Sequence, residues 1–244
     1  MEPVTTSDAV GFGASAGGKD KIVWKPLEAN ENAINQYLEK LGVKNVRAVE
    51  IWDFEDQLNT IIKPYYAMLL CFSDYKKADE LMKPVYDKLN QDGIKPPENV
   101  FFMKQKISNA CGTFALFHAL AHNADKINIG DGPWAKWFNE AKGLAVDDRS
   151  DLLAKDNNLA TLHEDCAGSG QSEMPEDVEN HFISYTHVGG RLYENDSRKY
   201  APRDCGPTSE DTLLEDAGKV CKEMIAKLGQ DTMFSALALV GSDE

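Results

Sequence analysis

The 244-residue chain has no apolar run long enough to cross a bilayer; its longest, residues 65–72 and 234–240, are strand length. Its first residues include acidic Glu2 and no hydrophobic segment, so no secretory signal is read there. Cysteine is scarce and scattered. Cys71, Cys111, Cys166, Cys205 and Cys221 are odd in number and show no C-x-x-C spacing. That excludes a disulfide framework and a zinc ribbon, and it predicts a reducing compartment, the cytoplasm with the nucleus left open. Basic residues are outnumbered, 26 Lys and Arg against 40 Asp and Glu, for a net charge of −14. Such a chain repels nucleic acid and anionic lipid, so neither is expected as a partner. The glycine-rich stretch 11–18 lacks the lysine followed by Ser or Thr of a phosphate loop, and no internal repeat is present. What remains is globular: 42% hydrophobic and 27% charged residues in 27.0 kDa, enough for a sizeable core. Between residues 145 and 180, ten acids face only Arg149 and Lys155, a local net of −8.

Residues 1–20, rich in Ser, Thr, Gly and Ala without an apolar period, read as a disordered tail ahead of one domain over 21–244. Helical spacing predicts a helix up to Leu41, with Asn30 as N-cap and Gly42 as stop. A strand over 46–52, a short helix over 54–61, a buried strand over 65–72 and a helix over 76–90 follow. Residues 99–103 extend towards a helix over 110–124, and Trp134, Trp137 and Phe138 mark another. Gly168, Gly170 and Pro175 break the period of the acidic segment. Strands over 181–188 and 191–196 flank Gly189-Gly190 as a hairpin, before a helix over 209–227 and a strand over 233–240. Strands and helices mix without a repeated beat, so α+β, or α/β with an antiparallel sheet, is the expected class.

The sharpest chemical signal is Gln105-Lys-Ile-Ser-Asn-Ala-Cys-Gly-Thr113. Cys111 opens a helix that is apolar nearly all round, where unpaired N–H groups and the positive end of the dipole favour a thiolate. Gly112 leaves room for a substrate backbone, the Cys111 N–H can donate to an oxyanion, and Gln105 can add an amide donor. The bland alternative is a small buried hydrophobe, as most free cysteines are. A nucleophile needs a base and the base an orienter. With a two-residue turn at Gly189-Gly190, Asp196 becomes the diagonal neighbour of His181, roughly 7–8 Å away between backbones and within side-chain reach. His187 and Glu194 stand in the same relation nearer the turn, so spacing alone leaves two dyads. His118 and His122 are four apart but lack a third ligand and a glutamate between them. They read as a core histidine and a helix C-terminal cation, and His163 as a solvated loop residue.

These motifs resemble the ubiquitin C-terminal hydrolases. The resemblance rests on Val100-Phe-Phe-Met-Lys-Gln-Lys-Ile-Ser-Asn-Ala-Cys-Gly-Thr113, His181-Phe-Ile and Leu192-Tyr-Glu-Asn-Asp196. Trp24-Lys-Pro-Leu-Glu-Ala-Asn30, Thr212-Leu-Leu-Glu-Asp216 and Phe234-Ser-Ala-Leu-Ala238 match the opening and closing signatures. It implies Cys111 as nucleophile, His181 as general base and acid, Asp196 as its orienter and Gln105 as oxyanion donor. It also implies a papain-like fold, a mostly antiparallel sheet between helical layers with a knotted backbone, and a crossover loop, here about 157–177. Pro26, Leu27, Glu28, Ala29 and Asn30 fall where the family contacts ubiquitin, and Gly170, Gln171 and Glu173 match a loop pattern. The implied activity is a thiol hydrolase releasing small adducts or short peptides from the C-terminal glycine of ubiquitin or a related modifier. Neither metal nor organic cofactor is required, and a monomer is expected. The chain's end soon after the last strand reads as a short, stand-alone member. Three departures stand out: Ser197 where the family has Gly, polar Asn195 before the aspartate, and a short connection between Pro175 and His181. A ubiquitin-docking pseudoenzyme and a small-molecule amidase are the rival readings; the first would have lost a catalytic group, the second would need a closed polar pocket. The acidic excess reads as a steering field for a basic protein substrate, or as plain solvation of a loop.

Overall fold

The computed structural model describes residues 22–168, 180–229 and 232–243. Its centre is a six-stranded antiparallel sheet in the order β1-β6-β2-β3-β4-β5. The strands are β1 (Val46–Ile51), β2 (Tyr65–Phe72), β3 (His181–Val188), β4 (Arg191–Asn195), β5 (Arg203–Pro207) and β6 (Phe234–Gly241). Helices α1 (Glu31–Leu41), α3 (Cys111–Ala121), α4 (Pro133–Ala141), α5 (Val146–Lys155) and α6 (Asn157–Gly168) pack on one face; α2 (Tyr75–Gln91) and α7 (Leu213–Leu228) cover the other. This is the expected sheet between helical layers. Among the described residues no helix is long and apolar enough to span a membrane.

The two faces follow from alternation along β2 and β3. Ala67, Leu69, Cys71 and Phe182 join the core under α3, whereas Met68, Leu70, Phe72, Ile183 and Tyr185 join the core under α7. Both strands are buried on both sides; β2 reads as a continuous apolar run, whereas β3 carries the buried polar residues His181, Ser184 and Thr186. The core helix α3 carries Phe114, Leu116, Phe117 and Leu120 at no more than 1% exposure. Each contributes roughly 1.5–3 kcal/mol by leaving water. Asn30 caps α1 by accepting from the Ala33 N–H, and Gly42 closes it in the left-handed region at φ +80°. The hairpin register is the expected one: Ser184 pairs with Asn195 and Val188 with Arg191 around Gly189 and Gly190, both at positive φ.

Several expectations change. Residues 157–168, assigned to the crossover loop, are helix α6. The Asp156 carboxylate accepts from the Asn158 and Leu159 N–H groups and starts it, and Leu159, His163 and Cys166 supply its buried stripe at i, i+4, i+7. The stripe's histidine and cysteine disguise that period in an acidic segment. The rest of that loop, with Gly170, Gln171 and Glu173, lies outside the described residues, as does the tail over 1–20. The acids of α5 and α6 also have local tasks: Asp147 and Asp151 pair with Lys106, Asp165 with Lys40, and Glu164 accepts from the Lys25 N–H. Strand β5, polar and containing Gly206 and Pro207, gave no alternating signal; it is an edge strand, where polar residues and proline are tolerated. The helix expected over 54–61 is a single 3-10 turn at Gln57–Thr60. Helix α7 starts at Leu213 because Ser209 and Thr212 exchange side-chain and backbone bonds ahead of it.

Candidate active site

The segment 99–110 is not a sheet strand. Three links hold it in place: the Gln105 N–H donates to the Ser197 carbonyl at 2.7 Å, Met103 N–H to His118 Nε2 at 2.9 Å, and Ser108 pairs with residues 22–24. It delivers Cys111 to the first position of α3, and the capping residue Ala110 makes no side-chain cap. The first N–H groups of a helix have no intrahelical partner, so they are available to a developing anion.

His181 is the first residue of β3, at the end of the sheet, where one side chain can reach past either face. Its neighbour across β2 is Phe72, and its ring is boxed edge-on by Tyr75 at 4.4 Å and Phe72 at 6.1 Å. Strand pairing stops at Asn195, so Asp196 leaves the ladder and points its carboxylate inward. His181 Nε2 donates to Asp196 Oδ1 at 2.7 Å, and the same oxygen accepts from the Arg198 N–H at 2.9 Å. Of the two dyads that spacing allowed, this one forms. Glu194 is buried instead against Tyr86, Tyr185 and Arg203, and His187 Nε2 accepts from the Gly190 N–H.

The remaining ring nitrogen, His181 Nδ1, has no partner at full hydrogen-bond geometry, yet the Cys111 thiol lies close enough that each group shifts the other. Burial pushes the thiol up, but the His181 imidazolium, the Phe182 N–H aimed at the sulfur and the Arg198 cation together bring it below its ordinary value. Burial pushes the imidazole down, and the Asp196 carboxylate with the thiol raises it to about 9. Asp196, despite its burial, is held below the usual carboxylate range by that imidazole and the Arg198 N–H. The three shifts run along one Cys111–His181–Asp196 line and favour charge on each member. Burial raises the thiols of Cys71, Cys166, Cys205 and Cys221, Cys205 to about 12. Cys111 alone moves the other way.

Gln105 lies beside this line. Its Nε2 donates to the Ile107 carbonyl at 2.9 Å, and its Oε1 accepts from the Ser197 hydroxyl at 3.1 Å. With Ser197, Lys104, Arg198, Lys199 and Tyr200 it lines an open cavity of about 350 Å³. Gly112 has a different task from the one expected. A Cβ there would meet Leu27 at 3.2 Å and Phe182 at 3.4 Å, so the missing side chain admits packing, not a substrate backbone. Leu27 is thereby buried; Pro26, Glu28, Ala29 and Asn30 are half-buried, Glu28 accepting from the Asn30 side chain.

A family model described as ubiquitin carboxyl-terminal hydrolase, family 1, matches residues 24–226. The chain belongs to this family. Ubiquitin carboxyl-terminal hydrolase isozyme L1 of Homo sapiens is 37% identical over 218 residues, 88% of this chain and 97% of that protein. A ubiquitin carboxyl-terminal hydrolase of Drosophila melanogaster is 34% identical over 91% of this chain and its own full length. The solved catalytic domain of Trichinella spiralis UCH37, bound to ubiquitin vinyl methyl ester, shares the fold with a TM-score of 0.73 at 23% identity, over 90% of this chain and 96% of that one. The ubiquitin carboxyl-terminal hydrolase fold is papain-like, and this member is a cysteine-type hydrolase.

The other histidines are structural. His163 is fully buried: its Nε2 donates to the Lys25 carbonyl at 2.6 Å, so Nδ1 accepts from the Thr113 hydroxyl at 2.7 Å. The sequence hid this because its partners come from α3 and the N-terminal segment. His118 stacks on Phe102 in the core. His122, expected as a cation, is half-buried; desolvation and the Arg149 cation push it down to about 3, hence neutral, with Nδ1 bonded to Thr186. No group of three metal-ligating side chains exists among the described residues. Tyr75, the Phe182 N–H and the Ser197 hydroxyl carried no signal of their site role, since each acquires it only through a contact distant in sequence.

Proposed function

We propose that this hydrolase cleaves small adducts or short peptides from the C-terminal glycine of ubiquitin, or of a related modifier, through a thioester on Cys111. The observation that carries the reading is Cys111 itself, the one thiol held below its ordinary value, on a helix N-terminus beside a buried His181–Asp196 pair. The family match and the relatives' names supply the substrate class. The thiolate attacks the glycine carbonyl carbon, and the electron pair moves onto oxygen. The second Gln105 amide hydrogen and the Cys111 N–H stabilise that oxyanion. His181 gives its proton to the leaving amine as the C–N bond breaks. It then takes a proton from water, whose oxygen attacks the thioester, and returns that proton to sulfur. Pro26 to Asn30, running alongside the α3 N-terminus, are proposed to contact the modifier, as are Gly170, Gln171 and Glu173.

Ubiquitin vinyl methyl ester, an electrophile placed where the scissile carbonyl would sit, tests this directly. The native protein is expected to form a covalent adduct at Cys111, and Cys111→Ala to form none. Equal labelling of the two would overturn the catalytic assignment. Alkylation by iodoacetamide without any adduct to the ubiquitin probe would overturn the substrate assignment alone.

A further inference from the structure

The Gln105 amide is gripped at both ends. Its backbone N–H donates to the Ser197 carbonyl, its Oε1 accepts from the Ser197 hydroxyl at 3.1 Å, and its Nε2 donates to the Ile107 carbonyl at 2.9 Å. A carboxamide can present either its oxygen or its nitrogen to a reacting centre, and only the nitrogen stabilises an oxyanion. The Ile107 carbonyl only accepts, so the nitrogen must face it. The Ser197 hydroxyl then occupies the opposite end as a donor and closes the torsion that a flip would need. Ser197 is itself 2% exposed and follows Asp196 directly, so the orienter of His181 and the amide share one stretch of backbone. The resemblance described above places glycine at this position, and glycine has no hydroxyl to offer.

We infer that Ser197 is a positioning residue whose hydroxyl locks the Gln105 amide in the orientation that serves the oxyanion. The inference rests on the hydrolase reading of this site. Ser197 has an ordinary negative φ, so Ser197→Ala removes the hydroxyl without straining the backbone and leaves the carbonyl contact in place. Losing a hydrogen bond of this kind lowers kcat about three- to tenfold.

The experiment compares the native protein, Ser197→Ala and Ser197→Thr on a ubiquitin C-terminal aminocoumarin amide. In parallel it measures alkylation of Cys111 by iodoacetamide and the NMR order parameter of the Gln105 side-chain amide. Alkylation displaces iodide from saturated carbon and forms no oxyanion. The expected result is a kcat loss of about three- to tenfold in Ser197→Ala with KM unchanged, alkylation unchanged, a lower amide order parameter, and recovery in Ser197→Thr. In a Gln105→Ala background the further change Ser197→Ala is expected to have no effect, because the two groups act as one unit. An unchanged amide order parameter, an equal loss in the Gln105→Ala background, or a parallel loss of alkylation would each overturn the inference. If the native protein leaves the ubiquitin amide intact, the substrate reading fails, and the order of the Gln105 amide decides the clamp by itself.

Discussion

Asp196→Asn separates the charge of the orienting carboxylate from its shape. In the native protein the carboxylate oxygen lies 2.7 Å from His181 Nε2 in a site closed to water. Burial by itself would hold the imidazole below 6.5, yet its partners raise it to about 9. That net rise corresponds to about 3 kcal/mol at 1.36 kcal/mol per pH unit, and the partners supply more than this because burial opposes them. Asn keeps a hydrogen-bonding oxygen and removes the charge, so the imidazolium loses its main support. The pH profile of kcat/KM is expected to be a bell whose limbs belong to the coupled Cys111–His181 pair. Its alkaline limb, expected near pH 9, should move down by at least one pH unit in the variant. At pH 8.5 a limb moved down by one to two pH units means a loss of about three- to twenty-five-fold. A uniform loss at every pH with the alkaline limb still near 9 would refute the electrostatic argument and reduce Asp196 to a steric prop. Stability carries the same sign. The His181 contribution is complete below pH 6.5 and vanishes as pH rises towards 9, whereas that of Asp196 is present above about pH 4 and lost on acidification. The Tm gap between native protein and Asp196→Asn is therefore expected to be widest between those values.

Two further variants test the packing that holds the site. Gly112→Ala forces a Cβ to within 3.2 Å of Leu27 and 3.4 Å of Phe182, whose N–H faces the sulfur. Overpacking of this kind costs about 1–3 kcal/mol, read as a lower Tm together with a lower kcat, and an unchanged Tm would show that the cleft yields freely. Arg203→Ala leaves the buried Glu194 carboxylate with only the Tyr86 and Tyr185 hydroxyls. Denaturant titration should show a loss of about 3–5 kcal/mol while Cys111 alkylation in the folded protein stays constant. A loss under about 1 kcal/mol would mean that the carboxylate is not dependent on its cation.

The legible parts of the fold are those in which one short segment carries its own period. Strand β2, the β3–β4 hairpin and α1 with its Asn30 cap and Gly42 stop all fall where spacing and turn chemistry put them. Helix α6 did not, because its stripe of Leu159, His163 and Cys166 is built from residues whose burial depends on what α3 and the Lys25 carbonyl offer them. Polar β5 was invisible because an edge strand needs only backbone pairing with β4.

The sequence by itself determined a cysteine at the start of a buried helix, a hairpin that brings a histidine near a carboxylate, and a family. Tertiary structure decided which of the two dyads that spacing allowed is formed. Glu194 is consumed by Arg203 and two tyrosines, whereas Asp196 escapes the ladder at the sheet's end and turns to His181. It decided the electrostatics too: thiol and imidazole shift only through desolvation and partners drawn from α3, β3 and the β4 end. Such terms depend on distance through a closed interior, and a linear chain holds no distances between residues 85 positions apart in the way Cys111 and Asp196 are.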